Sequence, residues 1–311
     1  MKVVIVGAGG VGATLAYACL VRGVGRRLAL YDVDRAKVEA QVLDLNHGLQ
    51  FVPTATVEGS DDIDVCTDAD VVVITAGAKQ KPGQTRMDLA AANTELCRTL
   101  VPRLVERAPD AILLLVTNPV DVITYVTLKV SGLPARRVFG SGTVLDSSRF
   151  RFLIAARCGV AVQNVHAYIV GEHGDSEIPL WSSATIAQIP VQEWPLSGAA
   201  RLSDDDRDEV FTSVRDAAYR IVRGKGATNY AIGLAATRIL EAVLNDENRV
   251  LPVSSQLDGY RDITDVCLSV PCVVDGGGVA RRLEVPMDEA EVEGLRGSAA
   301  AIRAAIRAVG F

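Results

Sequence analysis

A β-branched run, Lys2-Val3-Val4-Ile5-Val6, leads without a break into Gly7-Ala8-Gly9-Gly10-Val11-Gly12, and Ala13 to Val21 then has the composition of a helix. Few topologies accept that order. A strand that turns on glycine straight into a helix opens a βαβ unit, and the spaced glycines meet different steric demands. Gly7 suits the tight turn, Gly9 the close approach of a pyrophosphate, and Gly12 the packing of helix on strand. The helix N-terminus then faces the phosphates. A second strand, Leu28-Ala29-Leu30-Tyr31, ends at Asp32, twenty residues after Gly12. A carboxylate there accepts both hydroxyls of an adenosine ribose and repels a 2′-phosphate, so NAD is expected over NADP. As a helix N-cap alone, Asp32 would leave that spacing unexplained.

Two further apolar runs, Asp70 to Thr75 and Ala111 to Val116, read as parallel strands covered on both faces. They end in Ala76-Gly77-Ala78 and Thr117-Asn118-Pro119, where ligands of open α/β sheets bind. The expected fold is therefore α/β: a doubly wound parallel sheet (Rossmann) over 1–142, followed by a second, α+β catalytic domain over 143–311. A length of 311 residues suits two domains. The net charge of −6, with no basic patch, excludes nucleic acid as the expected partner. Lys2 and the uncharged run to Val21 imitate a signal peptide or a membrane span, but the patterned glycines break it. Six scattered cysteines without CxxC spacing fit buried thiols in a reducing compartment, so a cytoplasmic protein with no membrane segment and no metal is expected.

Chemistry concentrates further along the chain. Gly171-Glu172-His173-Gly174-Asp175-Ser176-Glu177 sets one of only three histidines between glycines, after an apolar strand. Histidine titrates nearest neutrality and suits proton transfer. Asp146 and Arg149 lie three apart in a helical segment and share a face. Lys79 to Arg86 combines proline, glycine and charge, as a loop that carries a cation at its end.

GAGGVG, Asp32, AGAKQKPGQTR, VTNPVD, SGTVLDSSRFR and GEHGDSE follow the order found in bacterial NAD-dependent L-lactate dehydrogenases. The chain resembles that family over nearly its whole length, and its sister malate dehydrogenases almost as closely. The resemblance implies that His173 donates the proton to a 2-oxo acid, oriented by Asp146. It implies that Arg149 grips the substrate carboxylate bidentately and that Arg86 polarises the carbonyl when the loop closes. Asn118 would bridge nicotinamide and substrate, and Thr228 would line the pocket for the substrate methyl. The same likeness extends the cofactor set of Gly7, Gly9, Gly12 and Asp32 to Val11, Lys37, Gly77, Ala78, Asn118 and Ser141.

Gln80 matches the loop position at which malate dehydrogenases carry arginine for a second carboxylate. Without that cation, closure would bury an unpaired charge at a cost of several kcal/mol, where about 1.4 kcal/mol is already tenfold in selectivity. Pyruvate and L-lactate are therefore the expected substrates. Oxaloacetate, longer 2-oxo acids, and NAD binding without turnover are the alternatives. Arg151 lies about 200° round the helix from Arg149 and cannot serve the same pocket. With His166 it matches the residues that bind fructose 1,6-bisphosphate across a subunit interface in activated bacterial relatives, which implies an effector site and a homotetramer. Gln84 and Asn229 depart from the family pattern, where glutamate and an aromatic are commoner. His47 is expected to end a helix, Ser203 to cap one, and Glu289 to Val309 to form a terminal helix.

Overall fold

The buried run Lys2–Val6 forms β1, and Gly7 turns the chain at φ +105° into α1 (Gly10–Arg22). The computed structural model describes residues 1–78, 86–196 and 201–311, with 86–88 described by backbone alone. After α1 come β2 (Arg27–Tyr31), α2 (Arg35–His47), β3 (Thr56–Ser60), β4 (Val71–Ile74) and α3 (Arg86–Arg107). β5 (Ile112–Leu115), α4 (Val120–Ser131) and β6 (Val138–Gly140) complete this half. Its strands are all parallel, in the order β3-β2-β1-β4-β5-β6. Every residue of β1, β4 and β5 is buried, as a strand covered on both faces must be. The expected doubly wound sheet is present, and the strand order reverses beside β1, where such folds bind ligands.

The second half begins with α5 (Val144–Cys158), β7 (Val165–His166), β8 (Ile169–Gly171), β9 (Glu177–Pro179), β10 (Thr185–Ile186) and β11 (Ile189–Pro190). It continues through α6 (Asp204–Arg215), α7 (Ala217–Lys225) and α8 (Tyr230–Leu244) to β12 (Arg249–Tyr260), β13 (Ile263–Asp275), β14 (Gly278–Arg282) and α9 (Glu289–Ala308). β12 and β13 form a long antiparallel hairpin, to which β8, β9 and β14 add. β7, β10 and β11 form a separate small sheet. With α5 and α6, these strands enclose a second core around Phe150, Ile154, Val165, Ile169 and Val210.

The sequence pattern did not foresee how the two halves join. β12 meets β6 antiparallel at Ser254 opposite Gly140, so one sheet runs through both. A Cβ on Gly140 would lie 3.2 Å from that of Ser254 and 2.5 Å from Thr124 Oγ1, so only glycine allows this approach. Thr143 stitches the seam. Its N–H donates to Pro252 O (3.1 Å) and Ser269 Oγ (3.2 Å), and its hydroxyl to Ile169 O (2.5 Å).

The helix ends match their sequence signals. His47 closes α2, Ser203 and Asp206 form a capping box on α6, and α9 starts from a box between Asp288 and Glu291. The cysteines are free, and all but the half-buried Cys158 are buried. Among the described residues no helix is long and apolar enough to cross a membrane.

The glycine turn leaves no room for a side chain at its helix end. A Cβ on Gly12 would stand 1.9 Å from the Gly7 carbonyl oxygen and 3.0 Å from Thr75 Oγ1. That hydroxyl is itself shared between Val6 O and Gly7 O. Overpacking of this kind costs about 1–3 kcal/mol. Gly12→Ala is therefore expected to lower stability by that amount in urea unfolding and to weaken NADH binding.

Candidate active site

Asp146 lies in the first turn of α5, where the helix dipole favours a carboxylate, and it is 2 % exposed. Arg149, one turn on, donates from Nη1 to its Oδ1 at 2.6 Å. His173 reaches its Oδ2 through Nδ1 at 2.5 Å. A carboxylate oxygen only accepts, so Nδ1 carries the hydrogen and Nε2 is the atom left for chemistry. The Asp146–Arg149 pair is thus an interior pair shared with His173, not a surface salt bridge.

The turn that carries His173 is fixed from two helices. His173 N–H donates to Asp121 Oδ2 (2.7 Å) from α4, and Ser254 Oγ donates to the other oxygen of Asp121 (2.6 Å). Glu172 N–H donates to Ser298 Oγ (2.7 Å) on α9. The imidazole is held by its backbone and by one ring nitrogen, with 26 % of its side chain open.

The charges follow from this packing. Burial opposes a charge on His173, but the Asp146 carboxylate beside it and hydrogen-bonded to it prevails, with help from Asp121 and Glu177, and raises the imidazole to about 9. Burial also opposes a charge on Asp146. Its contacts with His173 and Arg149 outweigh that cost and keep it below the usual carboxylate range. At neutral pH the pair is therefore an imidazolium on a carboxylate. Asp121, fully enclosed, is raised to about 6 by burial, which its bonds to Ser254 and the His173 peptide offset only in part.

A largely apolar cavity of about 740 Å³ opens beside Arg149. Arg149 and Thr228 line it together with Leu145, Phe152, Ile221 and Tyr230, while His173 stands outside its lining. Thr228 and Arg149 are thus brought to one chamber. Gln80 lies outside the described residues, as does the side chain of Arg86, whose backbone begins α3. Arg151 points elsewhere, as its helical angle requires. Its Nε donates to Ala167 O (2.7 Å), and its guanidinium lies 4.9 Å from the centre of the Tyr168 ring. His166, on the neighbouring strand β7, is exposed.

At the other end of the site, added Cβ atoms on Gly9 and Gly10 would meet nothing, so the α1 N-terminus has an open cradle beside it. Val11 is half-buried there. Asp32 accepts from Ala8 N–H (2.7 Å) and Asp34 N–H (3.0 Å), and Lys37 Nζ lies 3.3 Å from its Oδ1. Burial would raise the Asp32 pKa, but those two N–H groups and Lys37 lower it. The helix N-cap is Asp34, not Asp32, whose carboxylate instead meets Ala8 in the glycine turn. This arrangement fits a dinucleotide: space for the pyrophosphate, N–H groups for it, and an ionised carboxylate for the ribose.

Asn93 on α3 joins the two ends. Its Oδ1 accepts from Ala78 N–H and its Nδ2 donates to Asn118 O, both at 2.7 Å. Gly77 fits under this clamp, since a Cβ there would strike Thr117 Cγ2 at 2.6 Å. Ser141 is buried and donates its N–H to Leu115 O (2.7 Å). Asn93, Asp121, Ser254 and Glu177 were not singled out from sequence. For Asp121 and Glu177 the signal was present inside VTNPVD and GEHGDSE. Asn93 and Ser254 gave none, because only the fold brings them to the site.

Residues 1–140 match the model of the lactate/malate dehydrogenase NAD binding domain, and residues 143–310 that of the lactate/malate dehydrogenase alpha/beta C-terminal domain. The chain belongs to the lactate/malate dehydrogenase family. An L-lactate dehydrogenase of Bifidobacterium animalis subsp. lactis is 53% identical over 311 residues, covering 100% of this chain and 97% of that protein. One from Synechococcus is 49% identical over 310 residues, covering 99% of each. The crystal structure of a lactate dehydrogenase from a Medee basin deep-sea metagenome library superposes with a TM-score of 0.95 at 41% identity, covering 100% of this chain and 99% of that one. The protein is thus an NAD-dependent oxidoreductase of this family, with its cofactor carried by the N-terminal half.

Asp146→Asn removes the charge that holds the imidazolium while leaving its burial. The His173 ring should then titrate near or below its ordinary 6.5 instead of about 9. NMR of the imidazole protons, with only three histidines to assign, reads this directly.

Proposed function

We propose that the protein is an L-lactate dehydrogenase that reduces pyruvate reversibly to L-lactate. The observation that carries this reading is a buried carboxylate, Asp146, bonded at once to a proton donor and to a carboxylate-binding cation. When bound, NADH supplies the hydride for the carbonyl carbon. His173 gives the proton from Nε2 to the carbonyl oxygen and becomes neutral, and it takes the proton back in lactate oxidation. Arg149 spends one N–H on Asp146 and keeps the rest of its fork for the substrate carboxylate. Thr228 bounds the space for the methyl group. Arg86 polarises the carbonyl, and Asn118 spans nicotinamide and substrate.

Relatives named L-lactate dehydrogenase at 45–53% identity support the choice of substrate. So does Gln80, an uncharged residue where oxaloacetate would need a cation. We further propose a homotetramer activated by fructose 1,6-bisphosphate through Arg151 and His166. Two copies around a two-fold axis would offer four donors to two phosphates. Self-association is supported by the exposed Tyr17 and Val21 on α1 and Tyr230 and Leu234 on α8, whose helices pack together where Gly233 meets Thr14.

NADH oxidation should favour pyruvate over oxaloacetate by roughly a hundredfold in kcat/KM, the equivalent of about 3 kcal/mol. Fructose 1,6-bisphosphate should lower the KM for pyruvate. Preference for oxaloacetate would overturn the substrate, and indifference to the sugar phosphate would overturn the effector site. Gln80→Arg should move the preference towards oxaloacetate by at least about tenfold. A parental ratio in that variant would show that Gln80 does not select the substrate.

A further inference from the structure

Glu177 opens β9 opposite Gly171, just past the turn that carries His173, and it is 6 % exposed. Its Oε1 is buried without any hydrogen-bond partner among the described residues. The charges that act on it most strongly are those of Asp146 and Arg149 from α5, His173 from the turn, and Arg215 from the end of α6. The other carboxylates of the cluster are occupied. Asp146 is bonded to His173 and Arg149, and Asp121 to the His173 peptide and Ser254. Arg215 pairs with Asp216 at the surface.

An ionised carboxylate with an unsatisfied buried oxygen, set beside another carboxylate, is the costliest state this pocket can hold. Protonation removes the charge and with it the larger part of the cost. Ionised, Glu177 would also offer an internal anion to His173 and Arg149, the two cations that a 2-oxo acid needs.

We propose that Glu177 is a positioning residue that sets the charge of the substrate site: it carries a proton when the 2-oxo acid binds, and loss of that proton weakens binding. This deepens the pyruvate reading and rests on it. The proton is released to solvent in the free enzyme and regained before substrate enters, so no bond to substrate is involved. Burial first, and then the charge of Asp146, raises the Glu177 carboxyl to about 8, close below the value of about 9 for His173. Substrate binding therefore needs two protons in the alkaline range, one on His173 and one on Glu177.

The test is the slope of log kcat/KM for pyruvate against pH at saturating NADH, a quantity that reports ionisations before substrate binds. Above pH about 9 the wild type should lose more than tenfold per pH unit, approaching a hundredfold as two protons are lost. The loss should fall on KM more than on kcat. Glu177→Gln should lose only tenfold per pH unit. A one-proton slope in the wild type would overturn the proposal without any variant, and so would equal slopes in the two proteins. A measurement free of substrate separates this from the activity itself. In Glu177→Gln a nearby negative charge is gone, so His173 should titrate at lower pH by NMR, and an unchanged titration overturns the role. Absence of pyruvate turnover in the wild type at pH 7 would instead overturn the lactate dehydrogenase reading, and the NMR result would still decide Glu177.

Discussion

The site depends on one buried carboxylate that satisfies two cations. Asp146 is almost wholly buried, so its charge is tolerable only with His173 on one oxygen and Arg149 on the other. Removing one partner from such a buried arrangement typically costs about 3–5 kcal/mol, far more than a surface pair contributes. The same constraint aligns the chemistry. The proposed proton donor, His173, and the proposed carboxylate grip, Arg149, are held close together because both answer to the same anion. The surrounding structure serves that geometry: α5 supplies Asp146 and Arg149 from adjacent turns, while Asp121 and Ser298 fix the peptide on which His173 arrives.

The cofactor end follows the same logic in a more open setting. Asp32 is oriented by Ala8 and Asp34 and ionised beside Lys37, which presets the carboxylate proposed to receive the ribose hydroxyls. Such preorganisation lowers the entropic cost of binding. Asn93 ties the loop after β4 to the loop after β5, and so relates the dinucleotide cradle to the strand end that carries Asn118. Backbone amides position both ends, and side chains supply the charge.

Much of this was legible in the chain because its signals are local. The strand, glycine turn and helix of the first 22 residues, the spacing to Asp32, and the three-residue step from Asp146 to Arg149 each follow from local geometry. Resemblance to a family added the pairing of His173 with Asp146, 27 residues apart. What stayed hidden was the polar support. Ser254 reaches Asp121 across 133 residues, and Ser298 reaches Glu172 across 126. A serine in a strand or helix looks the same whether it faces water or a buried carboxylate. Glu177 was visible in its motif, but only the fold shows it enclosed, with an oxygen that has no partner among the described residues.

The seam between β6 and β12 has a consequence for how the chain can be divided. Its backbone contact is the Ser254–Gly140 pair, reinforced by Thr143, Ser269 and the Asp121–Ser254 bond. Cutting there would bare the edges of β6 and β12 and strip Asp121 of its bonds to Ser254 and the His173 peptide. Exposed strand edges recruit other strands. The two halves are therefore poor candidates for separate expression or domain exchange, because the boundary that the family division suggests runs through a hydrogen-bonded sheet that also carries the support for His173.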